Sequence, residues 1–347
     1  MKTIKILFVL VSMALFFSCN KDKETTELLT STPPFASGLS FQKIKDLPNN
    51  YYDHQAVGFL ANQANSSLYI SCRDINFLQS ETIHKYNTID QSLITKNTPI
   101  KDFATKRNYI YNNQLYVFGS QKVSIYDLNL NSSLNTIPYP DNSSYSRFGF
   151  AAQNNNIYFV GGFLGGSAMS PDYDKKLVNY DIVTNVFATA AFMPINRNGG
   201  SSEFVNNKLY TFFGYEWMFD PAFLNNIRFL NDALIFDIST SSFQALPLAS
   251  NIKYSYTAKY NNYIFVAGNK YADSLSSTVV GSFFGYFNTD TNIMIEIPIT
   301  VQENNFAFPY ICEIEITEIY PDLSVGRVIE STRNGNIERE DNVTTKL

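Results

Sequence analysis

Short apolar runs separated by Asn- and Ser-rich turns are the dominant pattern of this chain. One phrase recurs five times: an Asn/Ser turn, then Leu/Ile-Tyr/Phe and a short apolar run. The copies are Leu68-Tyr69, Leu115-Tyr116, Ile157-Tyr158, Leu209-Tyr210 and Ile264-Phe265, and their starts lie 47, 42, 52 and 55 residues apart. A period of this length built from short strands predicts a repeat architecture, first of all an all-β propeller.

Each unit aligns over four strands, a to d. Strand a precedes an Asn turn: Asn112-Asn113, Asn154-Asn155-Asn156, Asn206-Asn207 and Asn261-Asn262. Asn tolerates the positive φ that tight hairpins demand. Strand b is the Leu-Tyr run, closing at Gly119, Gly161-Gly162, Gly214 or Gly268. Strand c carries an aromatic followed by Asp or Asn: Tyr86-Asn87, Tyr126-Asp127, Tyr180-Asp181, Phe236-Asp237 and Phe287-Asn288. That Asp or Asn can accept hydrogen bonds from the backbone two residues on and so start the next turn. An apolar residue follows the aromatic by seven places (eight in the second copy): Leu93, Leu134, Phe187, Phe243 and Met294. Strand d closes on Pro99, Pro138, Pro194, Pro247 or Pro298, where the missing N–H ends a ladder.

This set resembles the kelch repeat. Gly161-Gly162 matches its diglycine, Tyr180-Asp181 its strand-c pair, Phe187 its strand-d aromatic, and Arg197-Asn198-Gly199 the Arg-x-Gly that opens strand a. The diglycine is complete only once, and Phe, Leu or Met stands where Trp is usual. The resemblance covers residues 40–300 and implies four-stranded antiparallel blades. Phe41, Leu47 and Pro48 copy a strand d that has no preceding a to c. The expectation is therefore a six-bladed propeller. Its N-terminal strand would pair into a last blade supplied by Ile311–Ile319 and Val325–Ile329, and so close the ring.

Residues 1–18 read as a signal peptide, with Lys2 and Lys5 before the apolar run Ile6–Phe17, which is too short to span a bilayer. Phe16-Phe17-Ser18-Cys19 resembles a bacterial lipoprotein box, which implies acylation of Cys19. An ordinary signal peptide with a free Cys19 is the other reading. Residues 19–37 form a charged, Thr/Ser-rich tether. Within it Lys21-Asp22-Lys23-Glu24 resembles the surface-export signal of Bacteroidetes lipoproteins. Residues 38–335 are the propeller and 336–347 a polar tail. The expected location is the cell envelope, at the outer membrane, with exposure at its outer surface as what the export-signal resemblance implies, and with the acyl anchor as the membrane contact.

Aromatic residues make up 15 % of the chain and charged residues 16 %, a balance that favours half-buried strands. The net charge is −5, and −7 once Lys2 and Lys5 are removed. An acidic chain without a Lys/Arg cluster argues against nucleic acid. Cys72 and Cys312 remain besides Cys19. They form either a disulfide across the ring closure or two buried thiols.

Function is expected on the face made by the d–a and b–c loops, as the kelch resemblance implies. The b–c loops differ: Gly119 to Lys122 is minimal, while Phe163–Lys176 and Tyr215–Asp232 are long. The latter carries Tyr215, Trp217, Phe219, Phe223 and Phe229, which either stack on a ligand or bury one another. Arg107, Arg147 and Arg197 open successive strands a, and Arg73 follows a strand b. They either converge on an anion or bond the backbone within the ring. His54 is placed in the first d–a loop, and His84 in a strand c, where packing is the simpler role. Two His residues give little to build a metal site, and no cofactor is expected. The leading expectation is a binding module for a glycan or protein. The alternative is a sugar mutarotase or epimerase similar to the exported kelch-type sialic acid epimerases, with Glu203 or Glu216 as its carboxylate.

Overall fold

The computed structural model describes residues 39–46, 51–59, 67–74, 82–87, 90–97, 107–119, 121–131, 133–140, 145–146, 148–164, 175–217, 227–275, 278–297, 299–301, 324–334 and 337–346. Five sheets among them share one plan, with four strands in sequence order and each antiparallel to the last. Blade 1 is Tyr51–Phe59, Ser67–Asp74, Thr82–Asn87 and Leu93–Asn97. Blade 2 is Arg107–Tyr111, Gln114–Phe118, Lys122–Asp127 and Ser133–Pro138. Blade 3 is Gly149–Gln153, Asn156–Val160, Lys176–Asp181 and Val186–Phe192. Blade 4 is Ser201–Val205, Lys208–Phe212, Asp232–Asp237 and Ser242–Pro247. Blade 5 is Ile252–Tyr260, Tyr263–Tyr271, Val279–Asn288 and Ile293–Glu296. The compact unit Gly38–Leu347 carries them all.

The turn chemistry works as the residue types require. Asn112 and Asn113 turn at φ 47° and 58°, Asn206 and Asn207 at 49° and 61°. At the other hairpin the strand-c carboxylate accepts backbone N–H groups. Asp181 takes those of Val183 and Thr184 at 2.8 and 3.0 Å, and Asp237 that of Ser239 at 2.9 Å. The backbone bonds hold the Asp181 carboxyl, and the Ser239 hydroxyl together with the backbone bonds the Asp237 carboxyl, below the usual carboxylate range.

The repeated aromatics are cross-strand partners. Tyr180 pairs with Phe187, and their rings stack at 4.4 Å; Phe236 and Phe243 sit 4.7 Å apart. The eight-residue spacing of the second copy has a visible cause. A register shift between Ile125 and Tyr126 sets Ser133 opposite Tyr126, and Leu134 is left 48 % exposed.

The core lies between blades. One cluster joins blades 1 and 2 through Tyr69, Ile83, Leu115 and Tyr126. Phe118, Phe148, Phe159 and Tyr180 join blades 2 and 3. Tyr158, Phe204 and Leu209 join 3 and 4, and Phe212, Phe213, Phe283 and Phe287 join 4 and 5. First strands touch first strands: blade 1 with 2, and blade 4 with both 3 and 5. They therefore line the axis, and the fourth strands face outward.

The expected sixth blade is not a copy of the others, so the count of regular blades is five. A further sheet runs in the order Ile299–Val301, Leu39–Asp46, Ile337–Lys346, Ser324–Asn334. Leu39–Asp46 is antiparallel to Ile337–Lys346 but parallel to Ile299–Val301. The reason is in the sequence, since residues 301–347 lack the Leu-Tyr and aromatic-Asp phrases that build a meander. Residues 337–346, expected as a tail, form a central strand of this sheet. Residues 311–319 lie outside the described residues.

Candidate functional site

The first residues of strands a lie at the b–c and d–a loop end of the axis. Arg107 pairs with Phe118, next to the minimal turn in which the Gly119 N–H bonds the Lys122 carbonyl. In blade 5 the matching position is Tyr256, opposite Ala267. The two meet. The Arg107 guanidinium lies 5.8 Å from the centroid of the Tyr256 ring, although their blades are not neighbours along the chain. A cation and an aromatic face thus converge on the axis at the loop end. Both residues are half-buried.

Hydroxyls line the adjoining seams. Ser201 Oγ donates to Ser255 Oγ at 2.8 Å, and Ser255 Oγ to the Phe212 carbonyl at 3.1 Å. Thr257 Oγ1 donates to the Ser202 carbonyl at 3.2 Å, and Ser71 shares hydrogen bonds with Asn108 across blades 1 and 2. Two residues along strand a from Ser201 sits Glu203. It is only partly exposed to solvent. Burial pushes its pKa up to about 7, partly offset by the Lys259 ammonium and by a bond from the Phe204 N–H.

Arg197 takes the second of its two expected roles, bonding within the ring, and is not placed as a ligand contact. It is 1 % exposed, and its guanidinium donates to the Phe213 carbonyl and to Asp232 Oδ1, the latter at 2.6 Å. Its own carbonyl accepts the Gly162 N–H at 3.1 Å. It rivets the blade 3 diglycine to the blade 4 b–c loop. A Cβ at Gly161, where φ is +64°, would collide with that carbonyl. Burial pulls the Arg197 pKa down, against the pull of Asp232.

Tyr215, another candidate contact, follows the burial alternative. It is buried, and its N–H and carbonyl bond Asn198 at 2.7 and 2.8 Å. It opens the hairpin Tyr215–Trp217 against Ile227–Phe229. Phe229 is buried against Tyr271 at 5.0 Å, and its N–H bonds the Ser274 carbonyl at 3.0 Å. Both rings of the long loop are thus buried, that of Phe229 against blade 5. Glu216 faces Arg228 across the hairpin and pairs with it; Arg228 stays 48 % exposed.

His54 falls inside the strand Tyr51–Phe59 rather than a loop, beside a register shift between Tyr52 and Gln55. Arg73 and Cys72 lie within Ser67–Asp74, which runs past the expected strand end. Trp217 is placed on its hairpin strand. Cys19, Arg147 and Cys312 lie outside the described residues. His84 is buried, with Nδ1 2.9 Å from Thr95 Oγ1, as packing requires. The described residues hold no cluster of three or more His, Cys, Asp or Glu suited to a metal ion. Nor do they hold a helix long and apolar enough to cross a membrane. Tyr256 and Arg228 were missed from sequence. Tyr256 could have been found by aligning strands a on their distance from the Asn turn.

Among solved structures, the chain is similar to that of the propeller protein YjhT, with a TM-score of 0.61 at 13 % identity. The match covers 88 % of this chain and 99 % of that one. This chain is a β-propeller. No protein-family model and no curated protein matches it.

Proposed function

We propose that the chain is a lipid-anchored, cell-envelope binding module of kelch type that takes a glycan at the loop end of its axis. One observation carries the reading: Arg107 and Tyr256 converge there from separate blades. A sugar ring offers a face to an aromatic and oxygens to a guanidinium, so the pair suits a glycan better than an apolar ligand. Arg197 and the Gly161-Gly162 pair, placed as one rivet, support the kelch reading. The sheet that holds Leu39–Asp46 beside Ile337–Lys346 supports its role as an irregular sixth blade that closes the ring. Acylation at Cys19 anchors the molecule. Cys72 and Cys312 remain a candidate disulfide.

A glycan array that includes sialylated and uronic sugars tests this. Specific binding is expected, abolished by Arg107→Ala and by Tyr256→Ala. An array blank for the wild-type chain overturns the glycan reading and leaves a protein partner on the loop face.

A second reading is favoured by Glu203. A carboxyl with a pKa of about 7 on the axial strand is suited to moving a proton near neutral pH. Mutarotase or epimerase chemistry would then follow binding. NMR of anomeric or epimeric exchange on any sugar that binds, with Glu203→Gln as the inactive control, decides between them.

A further inference from the structure

What stands between neighbouring first strands decides what the axis presents. At the seam of blades 4 and 5 the facing residues are small, Ser201 against Ser255, and the strands touch. The seam of blades 2 and 3 is built differently. Alternate residues of a strand point to opposite faces. Tyr109 and Tyr111 pack on the blade 3 side of their strand, and Ile110 on the blade 1 side. Phe150 and Ala152 of blade 3 pack into that same seam, while Ala151 packs towards blade 4. Rings therefore hold the two first strands apart, and contact between these strands is sparse. Tyr109, Tyr111 and Phe150 stay only partly buried, so the axis has an aromatic wall here. The wall is held in place. The Phe150 ring lies 6.5 Å from Tyr109 and 5.1 Å from the fully buried Phe118, and the Tyr111 hydroxyl donates to Asn155 Oδ1 at 2.7 Å. Tyr111 stands about 14 Å along the strand from Arg107, and so well below the loop-end mouth.

The wall made by blades 4 and 5 is charged. Ser255 and Thr257 bond blade 4, so Lys259, two residues further on, faces blade 4 as well. Val205 packs between blades 4 and 5, so Glu203, two residues before it, faces blade 5. Burial raises the Glu203 pKa and the Lys259 ammonium partly offsets the rise, which puts the two groups within electrostatic reach. Lys259 is exposed and Glu203 partly so. A carboxyl beside an ammonium suits a vicinal diol, since one hydroxyl donates to the carboxylate while the next accepts from the ammonium. The aromatic wall suits the C–H face of the same ring. An apolar ligand would bury both charges unsatisfied, and an anion would be repelled by Glu203. We infer that the axis holds a monosaccharide site between these walls, towards the turn end, which takes a neutral pyranose through Tyr109, Tyr111 and Phe150 on one side and Glu203 and Lys259 on the other. This site is separate from the loop-end pair Arg107 and Tyr256 and independent of what that pair binds.

Saturation-transfer NMR on the full chain with the methyl glycosides of glucose, galactose and mannose, each from about 1 to 20 mM, tests this, a range suited to a single sugar ring. Transfer to ring C–H protons is expected for at least one of the three. Lys259→Met, a change at an exposed position, and Tyr109→Leu, which keeps apolar bulk but removes the ring, should each raise the Kd by about tenfold or more. Lys208→Met, exposed at the turn end but on a second strand away from the axis, should leave it unchanged. Absence of transfer from all three glycosides overturns the site, and glycan-array binding alongside that absence leaves the loop-end reading intact. Affinity unchanged by either Lys259→Met or Tyr109→Leu overturns it too, as does an equal loss in Lys208→Met.

Discussion

Glu203→Gln should stabilise the folded chain in mildly alkaline solution and leave it unchanged in acid. The Glu203 carboxyl has a pKa raised from 4.5 to about 7, chiefly by burial. Its folded-state pKa thus lies above its unfolded one, so the neutral acid is the form the fold prefers. Its stabilising contribution is complete below pH 4.5 and is lost as the pH rises through 7. Each tenfold ratio is about 1.4 kcal/mol, so the interval corresponds to about 3 kcal/mol. This is an upper figure, because Glu203 retains some solvent contact and the exposed Lys259 lies near enough to repay part of it. Gln has nearly the shape of the neutral acid but does not ionise. The assay is urea unfolding of wild type and variant across a pH series from about 4 to 8, read as the difference between them. Taking the difference cancels groups that titrate in both chains, such as Asp181 and Asp237, whose lowered pKa values make both chains less stable in acid. Equal stabilities near pH 4 are expected, with a gap in favour of the variant that opens as the pH rises from 4.5 to about 7 and is complete above that. A difference that stays flat, or a variant less stable at pH 8, would refute the reasoning. The second result would mean that the ionised carboxylate is better served by its surroundings than burial implies.

Three further outcomes follow from the same geometry. Arg197→Leu leaves the Asp232 carboxylate without its partner and should cost about 3–5 kcal/mol in urea melts, while exposed Arg228→Ala should cost about 1 kcal/mol or less. Phe159→Ala, which removes a ring packed edge-on against Phe118, Tyr139 and Phe148, should cost about 3–5 kcal/mol by the same measurement. Deleting residues 39–46, the strand between Ile299–Val301 and Ile337–Lys346, should lower the thermal midpoint of the whole molecule; an unchanged melt would remove this strand from any role in holding the ring.

The blades were legible because each strand announces itself twice, by a turn residue and by an aromatic with a fixed partner. Asn112-Asn113 and Tyr180 opposite Phe187 are such pairs. Even the odd spacing of Leu134 recorded a real register shift. The last sheet was not legible as built, because its strands join segments nearly 300 residues apart, Leu39–Asp46 and Ile337–Lys346, and no local phrase encodes such a pairing. The site was read only in part. Arg107, Tyr215 and Arg197 were equal candidates on sequence, because residue type and strand position say nothing of depth. Tertiary packing separated them, sending Arg197 and Tyr215 inside and leaving Arg107 at the mouth. Tyr256 escaped notice because a tyrosine in an aromatic-rich strand looks like core.

The cores of this molecule belong to pairs of blades rather than to single ones. A change at Phe159 is felt by both blades 2 and 3, so each seam can drift in sequence only if both of its walls drift together. The b–c loops are less uniform than the seams, although the one that begins at Tyr215 buries Tyr215 and Phe229. They range from the four-residue turn at Gly119 to the long hairpin that begins at Tyr215, on sheets of the same plan. Selection can therefore lengthen or shorten such a loop while the sheet beneath it keeps its plan, provided the anchoring residues at its ends remain. Chains of this architecture should diverge fastest there, and two of them with matching seams need share no ligand at all.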